Sequence, residues 1–142
     1  MRANTRWGWA WIALCLSLAV HVADEAVHDF LAVYNPVARS LRERIPLLPV
    51  PVFTFRVWLA GLVLVILLLL LLSPFAFRQA RWMRPLSYAF GVLMIGNALQ
   101  HILSSLYLHR LMPGVLSSPL LLLAALFLLW STSAAGRAHP RA

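Results

Sequence analysis

Residues 52–72 read VFTFRVWLAGLVLVILLLLLL and contain a single charged side chain, that of Arg56. A helix needs about 20 mostly apolar residues to cross the hydrocarbon core of a bilayer. This stretch has that length, and no soluble globule of this size could bury such a run together with the similar runs elsewhere in the chain. It therefore predicts a membrane-spanning helix.

The rest of the chain follows the same pattern. Of its 142 residues, 62% are hydrophobic and 11% charged, whereas soluble domains have about 45–50% and about 25%. Three further apolar blocks are separated by proline-containing breaks at Asn35-Pro36, Ser73-Pro74 and Pro113-Gly114, where helices tend to end or turn. The sequence predicts an all-α fold, a four-span transmembrane helical bundle forming one membrane domain (1–142), with spans at about 7–33, 52–72, 86–108 and 119–135.

The charge distribution indicates a membrane partner and no nucleic acid. The net charge is +8, all twelve basic residues are arginine, and they flank the apolar blocks without forming a basic stripe. With four spans, seven arginines lie on the side of the termini and five on the other. Because cytoplasmic loops carry more basic residues, we expect a multi-pass protein of the cell (inner) membrane with both termini in the cytoplasm. The first block lacks a good signal-peptide cleavage site, so we expect it to be retained.

Ionisable residues are concentrated at the end of the first predicted helix. The segment from His21 to Asp29, HVADEAVHD, contains three of the four acidic residues of the chain. Each ionisable group inside a spanning helix costs about 2.5–3.5 kcal/mol on the insertion scale, and such groups are usually functional. His21, Asp24, Glu25 and His28 follow the i, i+3, i+4, i+7 spacing of one helix face.

The third predicted helix carries a matching polar stripe. Asn97, Gln100, His101 and Ser104 have the same spacing. Because unpaired polar groups in hydrocarbon are costly, we expect both stripes to face inward and to meet at similar depth, nearer the non-cytoplasmic side.

His21-x-x-Asp24-Glu25 resembles the motif that names the HXXEE family of small bacterial membrane proteins. The Asn97-x-x-Gln100-His101 element and Pro113-Gly114 are similar to further features of that family. Asp24 departs from the pattern, which has glutamate there, and so shortens the side chain by one methylene. The resemblance implies a multi-span membrane protein and leaves the reaction open.

One interpretation of the two stripes is a metal site in a membrane-embedded enzyme acting on a lipidic or small apolar substrate. Histidine and carboxylate are ligands of zinc and of non-haem iron, and Glu25-x-x-His28 has the spacing found in di-iron bundles. The candidate metal ligands are His21, Glu25, His28, Asn97 and His101, with zinc or iron as the expected ion. The candidate catalytic residues are His21, Asp24, Glu25 and His101.

Two alternatives without a metal remain open. The same side chains could act as general acids and bases, or as a proton relay in a binding or transport protein. Four short spans make a poor transporter alone, so transport would require a homo-oligomer. Alternatively, the stripes form a structural polar clasp between two helices.

Overall fold

Residues 3–137 of the chain are described by a computed structural model, and this part contains helices and loops without a strand. Arg2 and Arg141, which count toward the predicted orientation, lie outside the described residues. Four segments are long and apolar enough to cross a membrane. This confirms the all-α, four-span prediction. The helices are α1 (Ala3–Val27), α2 (Phe30–Arg44), α3 (Phe55–Leu71), α4 (Ser73–Phe77), α5 (Met83–Tyr107) and α6 (Ser118–Arg137).

The first helix ends earlier than the expected position near Val33. It stops at Val27, and Asp29 adopts a left-handed conformation with φ of 52° before α2 begins. Aspartate tolerates that conformation better than most residues. The Nδ1 atom of exposed His28 lies 2.9 Å from the carbonyl oxygen of Asp24 and 2.8 Å from its Oδ1, which holds the turn. Pro36, expected to end the first helix, lies inside α2 instead, where one backbone hydrogen bond is lost.

The second span also differs from the expected end at Ser73-Pro74. Leu72 keeps a right-handed helical conformation, and Pro74 lies in the first turn of α4. Proline is tolerated there because its missing N–H would have no partner within the helix. The span therefore continues as Phe55–Phe77 with a joint at Leu72.

The helix α1 is the central element of the bundle. It packs closely against α6, α4 and α3, while α5 packs against α6. Trp7 and Trp11 of α1 are fully buried, and their indole N–H groups donate to Ser87 Oγ at 3.0 Å and to the Leu69 carbonyl at 2.8 Å. This packing sets the rotation of α1 and so decides which of its polar side chains point inward.

Candidate metal centre

Three ionisable side chains meet inside the bundle near the end of α1. His21, Glu25 and His101 are 0%, 5% and 3% exposed, and one potential ligand atom from each lies within 4.8 Å of the others. Glu25 Oε1 is 3.1 Å from His101 Nε2 and 3.7 Å from His21 Nε2. Polar side chains of α1 and α5 therefore meet here, as the spacing of the two stripes predicts. We call these three residues the HEH cluster.

The expected inward stripes converge only in part. His28 lies on the exposed side, half accessible and paired with Asp24, and so stands apart from the HEH cluster. Gln100 is also exposed. The backbone N–H of His28 still donates to the Asp24 carbonyl at 3.1 Å, and its side chain pairs with Asp24 rather than with Glu25.

Asn97 lies beside the HEH cluster as a partner of His21. Its Oδ1 is 3.0 Å from His21 Nε2. A side-chain amide presents an oxygen or, when rotated, an N–H to such a nitrogen. Asn97 therefore contacts the same ring nitrogen that faces Glu25.

The other ring nitrogen of His21 is fixed by the loop before α6. Ser117 Oγ lies 2.8 Å from His21 Nδ1, 2.7 Å from Asp24 Oδ2 and 3.1 Å from the Gly114 carbonyl oxygen. The last two are acceptors, so the single hydroxyl hydrogen of Ser117 goes to one of them. His21 Nδ1–H then donates to Ser117 Oγ. In a neutral imidazole this leaves the lone pair on Nε2, the atom directed at the HEH cluster.

Asp24 holds this loop to α1. Its Oδ2 also accepts the backbone N–H of Ser117 at 2.9 Å, just before the first residue of α6. A carboxylate is favourable at a helix N-terminus because unpaired N–H groups and the helix dipole face it there. Asp24 therefore positions His21 through Ser117 and is not itself one of the three converging groups.

Gly114 packs against all three side chains of the HEH cluster. It has a φ of +86°, and a Cβ atom there would lie 2.9 Å from His21 Cε1, 3.0 Å from His101 Cε1 and 3.1 Å from Glu25 Cγ. Only glycine accommodates both that backbone conformation and that approach without strain. The predicted Pro113-Gly114 turn thus closes directly over the site.

Sequence reasoning missed Ser117 and the contact of Gly114. A Ser-Ser pair before Pro119 suggests only a helix start, and Pro-Gly suggests only a turn. Neither pattern indicates a contact with α1, whose residues Asp24 and His21 lie 93 and 96 positions before Ser117.

The donor set suits a divalent metal ion. Two imidazoles and one carboxylate occur at catalytic zinc sites and at non-haem iron sites, which leave coordination positions open. Ligand nitrogens around tetrahedral zinc lie about 3.3 Å apart, so the side chains must draw somewhat closer to share an ion. A complete di-iron site would need more carboxylates than the described part of the chain brings together here.

The fold and this cluster define the class, a small polytopic α-helical membrane protein with a buried histidine–glutamate cluster. Residues 11–129 match the profile of the HXXEE family, described as "Protein of unknown function with HXXEE motif". The chain belongs to that family. No significant match was found among curated proteins or among solved structures.

Proposed function

We propose that this chain is a membrane-embedded, metal-dependent enzyme that acts on a lipidic or small apolar molecule. The observation that carries the proposal is the convergence of His21, Glu25 and His101 within 4.8 Å in the interior of the bundle. In this proposal the three side chains hold zinc or iron through His21 Nε2, His101 Nε2 and a Glu25 carboxylate oxygen.

The surroundings of the HEH cluster support a site built to bind an ion. Metal-bound histidines usually donate their other ring N–H to a fixed acceptor, which sets the tautomer. Ser117, itself bonded to Asp24, supplies that acceptor for His21. The bound ion would supply water activation for hydrolysis or, for iron, oxygen chemistry. Asp24, which contacts His21 through Ser117, is then a further group able to accept or donate a proton.

The direct test is the metal content of full-length protein purified in detergent. We expect close to one zinc or iron per chain by elemental mass spectrometry, and near-complete loss in His101→Ala, which removes a ligand. His28→Ala is the matched control, because it removes a histidine outside the HEH cluster and should retain the ion. A folded wild-type protein without zinc or iron, even after incubation with either metal, would contradict the proposal.

A second prediction concerns the residue that orients His21. Ser117→Ala leaves every proposed ligand in place but removes the acceptor for His21 Nδ1–H. Loss of such an outer partner typically weakens metal binding by about 10–100-fold, which a competition titration with a fluorescent chelator can measure.

Ser118→Ala is the control for Ser117→Ala. Ser118 is adjacent and also buried, but its hydroxyl donates to the Gly114 carbonyl at 2.7 Å. We expect this variant to bind metal at least tenfold more tightly than Ser117→Ala. Equal affinities in both variants would show that the His21–Ser117 contact is not what supports the ion.

A metal-free proton relay is the second candidate function. Its support is a continuous series of polar contacts from exposed His28 to Asp24 at 2.8 Å, from Asp24 to Ser117 at 2.7 Å, and from Ser117 to His21 at 2.8 Å. Such series of ionisable groups in membrane proteins carry protons. A folded, active, metal-free wild type would favour this function.

For location, we propose the inner membrane of a bacterium with both termini in the cytoplasm. The arginine distribution supports this orientation. The HEH cluster, near the far end of α1, then lies in the half of the bilayer away from the cytoplasm.

A further inference from the structure

A groove runs along the outside of the bundle between α2, the loop that follows it, and α3. Its volume is about 380 Å³, within the range of about 300–1,000 Å³ typical of small-molecule sites. On the α3 side, Trp58, Gly61 and Val65 line it. Phe30, Tyr34 and Phe53 line it on the other side, so the groove is almost wholly apolar.

Specific hydrogen bonds hold this groove in shape. The Asn35 side chain donates to the Phe53 carbonyl at 2.9 Å and accepts the Phe53 N–H at 3.1 Å. The Tyr34 hydroxyl donates to the Pro51 carbonyl at 3.0 Å. These contacts fasten the loop to α2, so that the Phe53 ring stacks on Tyr34 with centroids 6.0 Å apart.

Gly61 leaves the floor of the groove open. A Cβ atom at this position would meet nothing within 4 Å. A large side chain at this position would extend into the groove.

One aromatic ring separates the groove from the HEH cluster. The centroid of the Phe30 ring is 5.9 Å from that of Trp58 in the groove and 5.9 Å from that of His101 in the cluster. His101 Nε2 in turn lies 3.1 Å from Glu25 Oε1. A molecule in the groove is thus separated from the proposed ligand His101 by one aromatic ring.

The segments that form the groove carry exposed arginines. Arg39, Arg42 and Arg44 are exposed on α2, and exposed Arg56 precedes the lining residue Val57. The only acidic residue near them in sequence is Glu43. Basic residues at a membrane surface attract anionic lipid head groups.

The length of the groove fits an extended apolar chain. Val57 and Val65 both line it, and at 1.5 Å per residue they are separated by roughly 12 Å along α3. An acyl chain lying there would run from the end near Arg56 toward the bilayer centre, as lipid chains do.

We propose that this groove binds one acyl chain of an anionic phospholipid, and that such a lipid is the substrate class of the HEH cluster. The inference rests on the proposed metal-dependent function and deepens it. In this arrangement the head group contacts the arginines, and the part of the acyl chain nearest the head group lies against Phe30. The bond that the reaction changes lies close to His101.

The test uses full-length protein in detergent micelles and a phosphatidylglycerol that carries a photoreactive diazirine in its acyl chain. We expect cross-links at groove residues 53–65 that an excess of unlabelled phosphatidylglycerol removes, and that phosphatidylcholine removes at least tenfold less effectively. Gly61→Phe fills the groove and should reduce the competed labelling at least tenfold. Val65→Trp, which enlarges a side chain already half exposed, should give the same result.

Gly96→Phe is the matched control. Gly96 is also a glycine of a spanning helix with nothing within 4 Å of its Cβ position, but it does not line the groove. This variant should label as the wild type does. Labelling spread evenly over all helices, or unchanged in both groove variants, would overturn the groove proposal. Equal competition by phosphatidylcholine would overturn the anionic lipid as the ligand.

Metal analysis of the same samples separates the two proposals. Gly61→Phe leaves the ligands untouched and should retain its zinc or iron. A metal-loaded protein without competed labelling refutes the groove alone. Competed labelling of a protein that binds no metal refutes the metal-dependent function and leaves lipid binding established.

Discussion

Gly114→Ala is expected to destabilise the protein by about 2–5 kcal/mol and to abolish metal binding. The left-handed conformation costs a residue with a Cβ about 1–2 kcal/mol, and overpacking a tight interior costs about 1–3 kcal/mol more. The added methyl group would lie 2.9–3.1 Å from carbon atoms of His21, His101 and Glu25. Any movement that relieves those contacts displaces the proposed ligands. The measurements are unfolding in detergent titrated with sodium dodecyl sulfate, and metal content.

Gly96→Ala is the control for that experiment. Gly96 lies within α5, has open space around its Cβ position, and lacks the positive φ of Gly114. Because alanine is favoured over glycine in helices by up to about 1 kcal/mol, we expect equal or slightly higher stability and normal metal content. If Gly114→Ala matched this control in both measurements, Gly114 would not form a tight wall over the HEH cluster.

Glu25→Gln is expected to remove the metal while preserving the fold. Glutamine has nearly the same shape as glutamate but lacks the charge that a divalent ion requires. It can still hydrogen-bond His101, whose Nε2 lies 3.1 Å from the carboxylate. A ligand that binds only the folded state raises its stability, so a chelator should lower the Tm of the wild type. The variant should have the Tm of the chelated wild type and should not respond to chelator.

Glu43→Gln applies the same substitution at an exposed position of α2. We expect it to keep the metal content and the chelator response of the wild type. A Glu25→Gln protein with a Tm far below that of the chelated wild type would favour the structural clasp instead. Interhelical hydrogen bonds in membranes average only about 0.6 kcal/mol, so a large loss there would mean that the buried charge itself stabilises the bundle.

Three measurements distinguish the candidate functions. Metal content separates the metal-dependent enzyme from the proton relay, because the relay needs only the polar series from His28 to His21. The Tm of Glu25→Gln relative to that of the chelated wild type separates either function from the clasp. Lipid labelling with the groove variants then addresses the substrate class.

Much of the candidate site was predictable, but only from helical spacing. The spacing of His21 and Glu25 places both on one face of α1, and the polar stripe of α5 predicted His101 and Asn97 as their neighbours. The same spacing also predicted His28, whose side chain the structure pairs with Asp24, apart from the three converging groups. The metal-binding and catalytic roles of all these residues remain predictions.

The sequence by itself determined the four spans and the polar faces of two of them, because hydrophobic length and helical period are local properties of the chain. Only the tertiary structure decided that Ser117 contacts His21 Nδ1 and that Gly114 closes the cluster. The Ser117 contacts join residues 93 and 96 positions apart through an irregular loop. A loop has no repeating geometry from which its partners follow, so its position depends on how α6 packs against both α1 and α5.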